Sequence, residues 1–77
     1  MIAFIETLDY DDREVFSQVM AVALEQMTDM QRYCLLMSIV GLSQSTIGYV
    51  LGVGQRVVSY HFNNALGIIE VISREYV

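Results

Sequence analysis

Lysine, proline and tryptophan are absent from this chain of 77 residues, and cysteine occurs once. The single cysteine, Cys34, excludes an internal disulfide and fits a protein of the reducing cytoplasm. No run of 18 apolar residues is present, so no membrane-spanning helix is predicted. The first residues, Met1 to Ile5, carry no basic stretch, and we therefore expect no signal peptide.

Residues that carry chemistry are also scarce. Cys34 and His61 are the soft metal ligands of the sequence and lie far apart in it, so we expect no metal and no other cofactor. There is no Ser–His–Asp or Cys–His set at a useful spacing and no phosphate-binding loop. The acidic residues near the N-terminus fall on an exposed helix start, which lacks the buried environment of catalytic carboxylates. These features argue against an enzyme and against a small-molecule substrate.

Apolar side chains are in excess, at 55% of all residues. The length corresponds to one domain, residues 1–77, and so small a domain is marginally stable without a dense core or a partner. Because helical spacing dominates the apolar pattern, we predict an all-α fold. The expected architecture is a small bundle of four to five helices that contains a helix-turn-helix.

An acidic helix is predicted first, over about residues 11–27. Asp11 and Glu14 form a capping arrangement at its start, where the helix dipole favours acidic side chains. Apolar residues then recur at helical spacing, namely Val15, Phe16, Val19, Met20, Ala23 and Met27. The methionines are interpreted as core filler, although methionine is also common at adaptable interfaces.

A second helix is predicted over residues 29–40. Thr28 and Gln31, three residues apart, form a capping box at its start, and Gly41 ends it. Apolar residues run most of the way around this helix, so we expect it to be buried on several sides. They are Tyr33, Cys34, Leu35, Leu36, Met37, Ile39 and Val40.

A helix-turn-helix is predicted over about residues 43–66. Ser43 is a good N-cap for its first helix, and Gly48 is small enough to let another helix cross closely. Gly52 ends this helix, because a left-handed residue is needed there. The turn is too short for antiparallel packing, so the two helices are expected to cross steeply. The second helix starts at Gln55, and its core-facing side is predicted to consist of Val58, Phe62, Leu66 and Ile69.

The segment around Gly67 allows three interpretations. The helix continues to residue 76, and the glycine then costs roughly 1 kcal/mol relative to alanine. Alternatively, Gly67 ends the helix, and a short separate helix follows. The β-branched run from Ile68 to Ile72 is also compatible with a strand, although no partner strand is evident. The N-terminal segment from Ile2 to Leu8 is ambiguous in the same way.

Charge is distributed unevenly along the chain, whose formal net charge is −5. Residues 1–29 carry seven acidic residues and one arginine, which gives −6. Residues 30–77 carry three arginines and two glutamates, which gives +1. DNA-binding proteins usually present a basic face, so the overall acidity argues against DNA binding. The near neutrality of the helix-turn-helix half weakens that objection.

The chain resembles the LuxR/GerE-type helix-turn-helix over roughly residues 27–69, and the region-four domain of bacterial sigma factors nearly as well. The shared pattern appears as Met27-Thr28, Arg32, Gly41-Leu42-Ser43, Ile47, Leu51-Gly52 and Val58-Ser59-Tyr60-His61-Phe62-Asn63-Asn64. Both families read promoter DNA with the second helix, and sigma region four also docks on RNA polymerase. Only the sigma domain has a further helix at the place of the acidic helix predicted here.

The chain departs from the LuxR/GerE pattern at positions that bear on function. Thr46 replaces the family's glutamate, so the usual capping box is lost, and Gly48 replaces an alanine. Gly54 stands where a serine caps the recognition helix. Basic residues of the family are replaced by Ser45, Ser59, Gly67 and Ile68. The resemblance is therefore to a degenerate, lysine-free member, in which each lost phosphate contact lowers the salt dependence of DNA binding by about one unit of slope.

Polar side chains on the predicted recognition helix are the candidates for reading DNA. Arginine pairs with guanine, and glutamine or asparagine with adenine, each giving about 1–3 kcal/mol of discrimination. Ser43, Gln44 and Ser45 at the preceding helix start are placed to meet a phosphate. The candidate DNA-binding residues are Gln44, Gln55, Arg56, Ser59, Tyr60 and Asn63, with Asn64 beside them. The same residues also fit a merely polar, uncharged surface, and His61 is expected to be a hydrogen-bonded structural residue.

The last helix has two apolar stripes, more than a monomer of this size is expected to bury. The second stripe therefore predicts a homodimer or a protein partner. The candidate interface residues are Val57, Ile68, Val71 and Ile72.

Two functions are compatible with the sequence. The first is a small cytoplasmic transcriptional regulator that binds DNA through the helix-turn-helix as a dimer. The alternative is a degenerate helix-turn-helix that binds protein, as an antiactivator or modulator of a transcription activator, a sigma factor or RNA polymerase. That version would use the apolar C-terminal stripe and the acidic first helix. The small size would suit a regulator of a phage or mobile element.

Overall fold

A computed structural model describes residues 10–76, which form four helices and no strand. They are α1 (Tyr10–Gln26), α2 (Asp29–Val40), α3 (Gln44–Leu51) and α4 (Gln55–Glu75). The expected all-α class is confirmed, and these bounds lie close to the predicted ones. The ambiguous segment Ile2–Leu8 and the capping side chain of Asp11 lie outside what the structure describes.

Side chains close the junction between α1 and α2. The backbone N–H of Gln31 donates to Thr28 Oγ1 at 3.2 Å, and the Thr28 N–H donates to Gln31 Oε1 at 2.9 Å. The predicted capping box is therefore confirmed. Arg32 reaches back across the junction, because its guanidinium donates to the carbonyl oxygens of Leu24 at 2.8 Å and Met27 at 3.1 Å. One arginine thus supplies donors to two carbonyl groups at the end of α1, of which that of Leu24 also accepts from the Met27 N–H at 3.3 Å.

The ends of α3 follow from its sequence. Ser43 Oγ accepts a hydrogen bond from the backbone N–H of Thr46 at 3.1 Å, which confirms the predicted N-cap. Gly52 ends the helix in the left-handed conformation, with φ of 71°. Its N–H and that of Val53 close the last turn on carbonyl groups of α3. The chain therefore leaves α3 through a short turn, residues 52–54, and enters α4 at Gln55.

Helix α4 is continuous for 21 residues and contacts each of the other three helices. Gly67 lies within it, so neither the predicted stop nor the alternative strand over Ile68–Ile72 is present. At 1.5 Å per residue, α4 is about 32 Å long. It is the common support of the fold, because every other helix packs on it.

The core consists of two clusters that share the half-buried Phe62. The larger joins α1, α2 and α4 through Val19, Ala23, Met27, Leu35, Ala65 and Ile72. The smaller joins α2, α3 and α4 through Cys34, Ile47 and Val58. Leu66, predicted to face the core, is 39% exposed, and Ala65 takes that place with no exposed area. The broad apolar surface of α4 made either phase of the helix compatible with the sequence.

Helix α2 is less enclosed than its composition predicts. Cys34 and Leu35 are buried, but Tyr33, Leu36 and Val40 are 49%, 43% and 72% exposed. These three residues are spaced by three and four, so they share one side of the helix. The expectation that α2 is buried on several sides is therefore wrong, and one of its sides is an apolar surface.

Candidate nucleic-acid interface

The turn between α3 and α4 is held by close packing of backbone on backbone. Gly48 is buried in α3, and a Cβ atom at this position would lie 2.6 Å from the carbonyl oxygen of Val53. It would also lie 3.5 Å from the carbonyl carbon of Gly54. No side chain fits there without a shift of the turn. This contact fixes where α4 starts relative to α3.

A groove opens to solvent on the outer side of this turn, with a volume of about 590 Å³. We call it the turn groove, and it is lined by Gln44, Gly54, Gln55, Arg56 and Ser59. It brings together four of the six residues predicted to bind DNA, from the first turns of two helices. Tyr60 and Asn63 do not line it, although both are exposed on α4.

Arg56 differs from the other arginines in having no partner within the part of the chain that the structure describes. Arg32 is bonded to the end of α1, and Arg74 pairs with Glu70 at 2.6 Å. Arg13 also interacts within the chain. Within residues 10–76, Arg56 makes neither an ion pair nor a hydrogen bond, and it is exposed. Its guanidinium, with five donors, is thus available to an external group.

The start of α4 has unused backbone donors as well. Gly54 is the N-cap residue, and it gives no side-chain hydrogen bond to the first turn. The Gly54 carbonyl accepts from the N–H groups of Val57 and Val58, which leaves those of Gln55 and Arg56 ahead of the first helical bond. Gly54 was read from the sequence only as a weak cap, yet it also forms part of the groove wall. Its lack of a side chain keeps these donors accessible.

The segment of the chain that forms the turn groove contains no acidic residues. Residues 30–69 contain no aspartate or glutamate, although the whole chain has nine acidic residues. The segment does contain Arg32, Arg56 and His61. The nearest acidic residue that follows Arg56 in the sequence is Glu70, almost four helical turns along α4. The net charge of −5 therefore describes the chain as a whole and not this surface.

The remaining candidates on α4 have different surroundings. Asn63 Nδ2 donates to Ser59 Oγ at 3.5 Å, a long bond between two polar residues on the exposed side. Tyr60 is 64% exposed and lies edge-on to the ring of His61, with 5.3 Å between the ring centres. The Nδ1 atom of His61 is buried and has no hydrogen-bond partner among the described residues. The expectation of a fully hydrogen-bonded histidine is therefore wrong.

The predicted interface residues do not form one surface. Ile72 is 2% exposed and belongs to the larger core cluster, so it is unavailable to a partner. Ile68 is half-buried against the same cluster. Val57 and Val71 are 40% and 59% exposed. The sequence placed all four on the outside because both stripes of α4 are apolar.

A reactive thiol, a metal site or a membrane-spanning helix would each indicate a different function for the described residues. Cys34 is fully buried, and burial raises the pKa of its thiol, which suppresses the reactive thiolate. No group of three histidine, cysteine, aspartate or glutamate side chains within residues 10–76 is placed to hold a metal ion. In the same part of the chain, no helix has the length and apolar character needed to cross a membrane.

Comparisons of the chain with protein-family profiles, with characterised proteins and with solved structures gave no match.

Proposed function

We propose that the protein binds duplex DNA through the turn groove and the exposed side of α4, in the manner of a helix-turn-helix, and acts in transcription regulation. In this arrangement the N-terminal part of α4 enters the major groove, and α3 crosses the sugar-phosphate backbone. Gln55, Arg56 and Ser59 are the base-reading residues. Gln44 contacts a phosphate from the start of α3.

The observation that carries the proposal is the free guanidinium of Arg56 in the turn groove. Arginine is the side chain most often used to read guanine, through bidentate bonds to O6 and N7. The side chains of Gln44 and Gln55 beside it also make no hydrogen bond within residues 10–76. Three long polar side chains with unused donors therefore meet in a concave, acid-free surface.

Affinity for phosphate is expected to be modest, because the surface has few cations. Each phosphate that a basic side chain neutralises adds close to one unit to the slope of affinity against salt concentration. With Arg56 as the one basic side chain of the turn groove, we expect a slope of about 1–2 per protein chain. Backbone N–H groups at the start of α4 supply further, uncharged contacts to phosphate. Specificity would thus come mainly from base contacts.

The test is selection from a random duplex DNA library on the purified protein at about 0.15 M salt, where non-specific phosphate binding is weak. We expect an enriched sequence that contains guanine, and we expect the Arg56→Ala variant to lose the preference at that guanine. Arg13→Ala is the matched control, because it removes the same charge from α1, which does not line the turn groove. Enrichment of the same sequence by Arg56→Ala would refute the assigned role of Arg56.

A protein partner is the second candidate, and the apolar surface of α2 and α3 favours it. Tyr49 and Val50 on α3 are 89% and 56% exposed, in addition to Tyr33, Leu36 and Val40 on α2. Exposed apolar surface of this extent commonly marks a protein-binding site. In this version the chain modulates an activator, a sigma factor or RNA polymerase. It predicts no DNA enrichment, and loss of the partner in a Val40→Glu variant that still folds.

A further inference from the structure

The outer side of α4 carries a stripe of residues that are exposed except for the half-buried Asn64, and Gln26 at the end of α1 lies beside it. We call it the α4 stripe, and it consists of Val57, Tyr60, Asn64, Gly67, Val71 and Arg74. Successive members are three or four residues apart, which is the spacing of a helix seam that faces another helix. Val57, Tyr60 and Val71 are 40%, 64% and 59% exposed. Over 18 residues the stripe is about 26 Å long.

No contact within residues 10–76 requires a glycine at Gly67, in the middle of the stripe. Its backbone is helical, and a Cβ atom there would have no heavy atom within 4 Å. Glycine in an exposed helix interior costs roughly 1 kcal/mol relative to alanine, so a purely internal account favours alanine. Gly67 lies in a groove of about 400 Å³ with Gln26, Asn64, Ile68 and Val71. A glycine in this setting allows close approach of a second helix.

We propose that a second copy of this chain occupies the α4 stripe, with the two α4 helices packed antiparallel about a two-fold axis between residues 65 and 66. In that register Asn64 lies against Gly67 of the other copy, so a larger side chain meets the smallest one. Tyr60 lies against Val71, and Val57 lies against the aliphatic part of Arg74. Every member of the stripe then has a partner.

The charge distribution along α4 favours a second copy as the partner and favours antiparallel packing of the two helices. The carboxylates of α4 lie in its last two turns, at Glu70 and Glu75, and its start carries Arg56 and the positive end of the helix dipole. Antiparallel packing brings the acidic end of one copy to the positive end of the other. Parallel packing would place like charges and like dipole ends together. The stripe itself contains no carboxylate, so a second copy brings no acid onto acid.

The proposal deepens the DNA-binding function, but it rests on a different surface. The proposed base-reading residues Gln55, Arg56 and Ser59 lie outside the stripe. Tyr60, a candidate DNA-binding residue in the sequence, is assigned to the dimer interface instead. Along the helix axis the two Arg56 residues would be about 28 Å apart, which is shorter than the roughly 34–36 Å between successive major grooves on one side of DNA. The dimer is tested without DNA, so a chain that does not dimerise can be distinguished from a chain that does not bind DNA.

The first experiment is analytical ultracentrifugation of the full chain over a concentration range of about 1–500 µM, since an interface of one helix pair is small. We expect a monomer–dimer equilibrium in the wild type. Val71→Glu is expected to weaken the dimer by at least about tenfold, one unit on the logarithmic affinity scale. Leu66→Glu, which adds the same charge on the other side of α4, is the control and should leave it unchanged. Circular dichroism checks that both variants fold.

The second experiment tests orientation by cysteine cross-linking. Tyr60→Cys and Val71→Cys variants are mixed and oxidised, and Cys34 stays out of the reaction because it is buried. We expect the mixed disulfide between the two variants, because identical positions are roughly 17 Å apart along the axis of the antiparallel pair. Disulfides between identical variants in preference to mixed ones would refute the orientation. A chain that remains monomeric throughout the concentration range, or a Val71→Glu variant that dimerises like wild type, would overturn the proposal.

Discussion

Two of the three helix junctions within residues 10–76, α1–α2 and α3–α4, treat their polar groups in opposite ways. At the α1–α2 junction, Thr28, Gln31 and Arg32 form hydrogen bonds with the backbone around them. At the α3–α4 turn, the side chains of Gln55 and Arg56 form none within the described residues, and the cap position is Gly54. The first junction uses its polar groups to hold the fold together. The second leaves them free for an external ligand while backbone packing at Gly48 holds its geometry.

This comparison makes Gly48→Ala the most damaging single-methyl change. The added Cβ meets the Val53 carbonyl at 2.6 Å, and the neighbour is backbone that cannot turn away. We expect the free energy of unfolding to fall by about 2 kcal/mol, as for other overpacked sites. Urea denaturation measures the change. Gly67→Ala is the matched control, and it should raise the stability of the monomer by up to about 1 kcal/mol because its Cβ meets nothing. A stable Gly48→Ala variant would show that the turn is not fixed by this contact.

Arg32→Ala should be the next largest loss. The change removes bonds to the Leu24 and Met27 carbonyls. The Leu24 carbonyl keeps the Met27 N–H as a donor at 3.3 Å, so the Met27 carbonyl is the group that loses its donor, which costs about 1–2 kcal/mol in the free energy of unfolding. Arg74→Ala is the control, since its pair with Glu70 is exposed and should contribute no more than about 0.5 kcal/mol. Equal effects of the two substitutions in urea denaturation would remove the structural role assigned to Arg32.

Gly54→Ser should produce a small gain. The backbone at Gly54 is extended, with φ of −74° and ψ of 160°, and a Cβ atom there has open space. A serine can therefore cap the first turn of α4, which should raise the free energy of unfolding by a few tenths of a kcal/mol. A loss of stability in thermal or urea unfolding would mean that the turn requires glycine for a reason other than a missing cap.

Arg56→Ala should have the smallest effect on stability. Because Arg56 has no partner within residues 10–76, its truncation should change the free energy of unfolding by less than about 0.5 kcal/mol. The measurement is urea denaturation beside Arg32→Ala. A loss as large as that of Arg32→Ala would show that the two junctions are alike and would remove the basis for the proposed DNA contact.

The sequence predicts the local features of the helix ends well. The caps at Thr28 and Ser43 and the left-handed Gly52 depend on a few adjacent residues, so their spacing reveals them. The bonds of Arg32 could not be predicted, because they reach residues five and eight positions back across a junction. Of the residues predicted to face the core from α4, Val58, Phe62 and Ile69 do so, and only Leu66 is wrong, because Ala65 takes its place on a helix with two apolar sides.

The turn groove was predictable in part. The sequence identifies Gln44, Gln55, Arg56 and Ser59 as candidates from their place in the motif, and all four line the groove. The sequence alone does not show which arginine lacks a partner within residues 10–76, because that depends on the contacts of the other three in the folded chain. The exposed side of α2 was missed for a similar reason. The apolar character of a side chain does not reveal whether another helix covers it.

A residue-by-residue map of DNA contact tests the central claim most directly. The measurement is a titration of ¹⁵N-labelled protein with duplex DNA, followed by the amide shifts of both junctions. The account predicts shifts at Gln44, Gly54, Gln55, Arg56 and Ser59, with Thr28, Gln31 and Arg32 unchanged. Shifts confined to α1 and α2, or no shift at any residue of the turn groove at millimolar DNA, would contradict it.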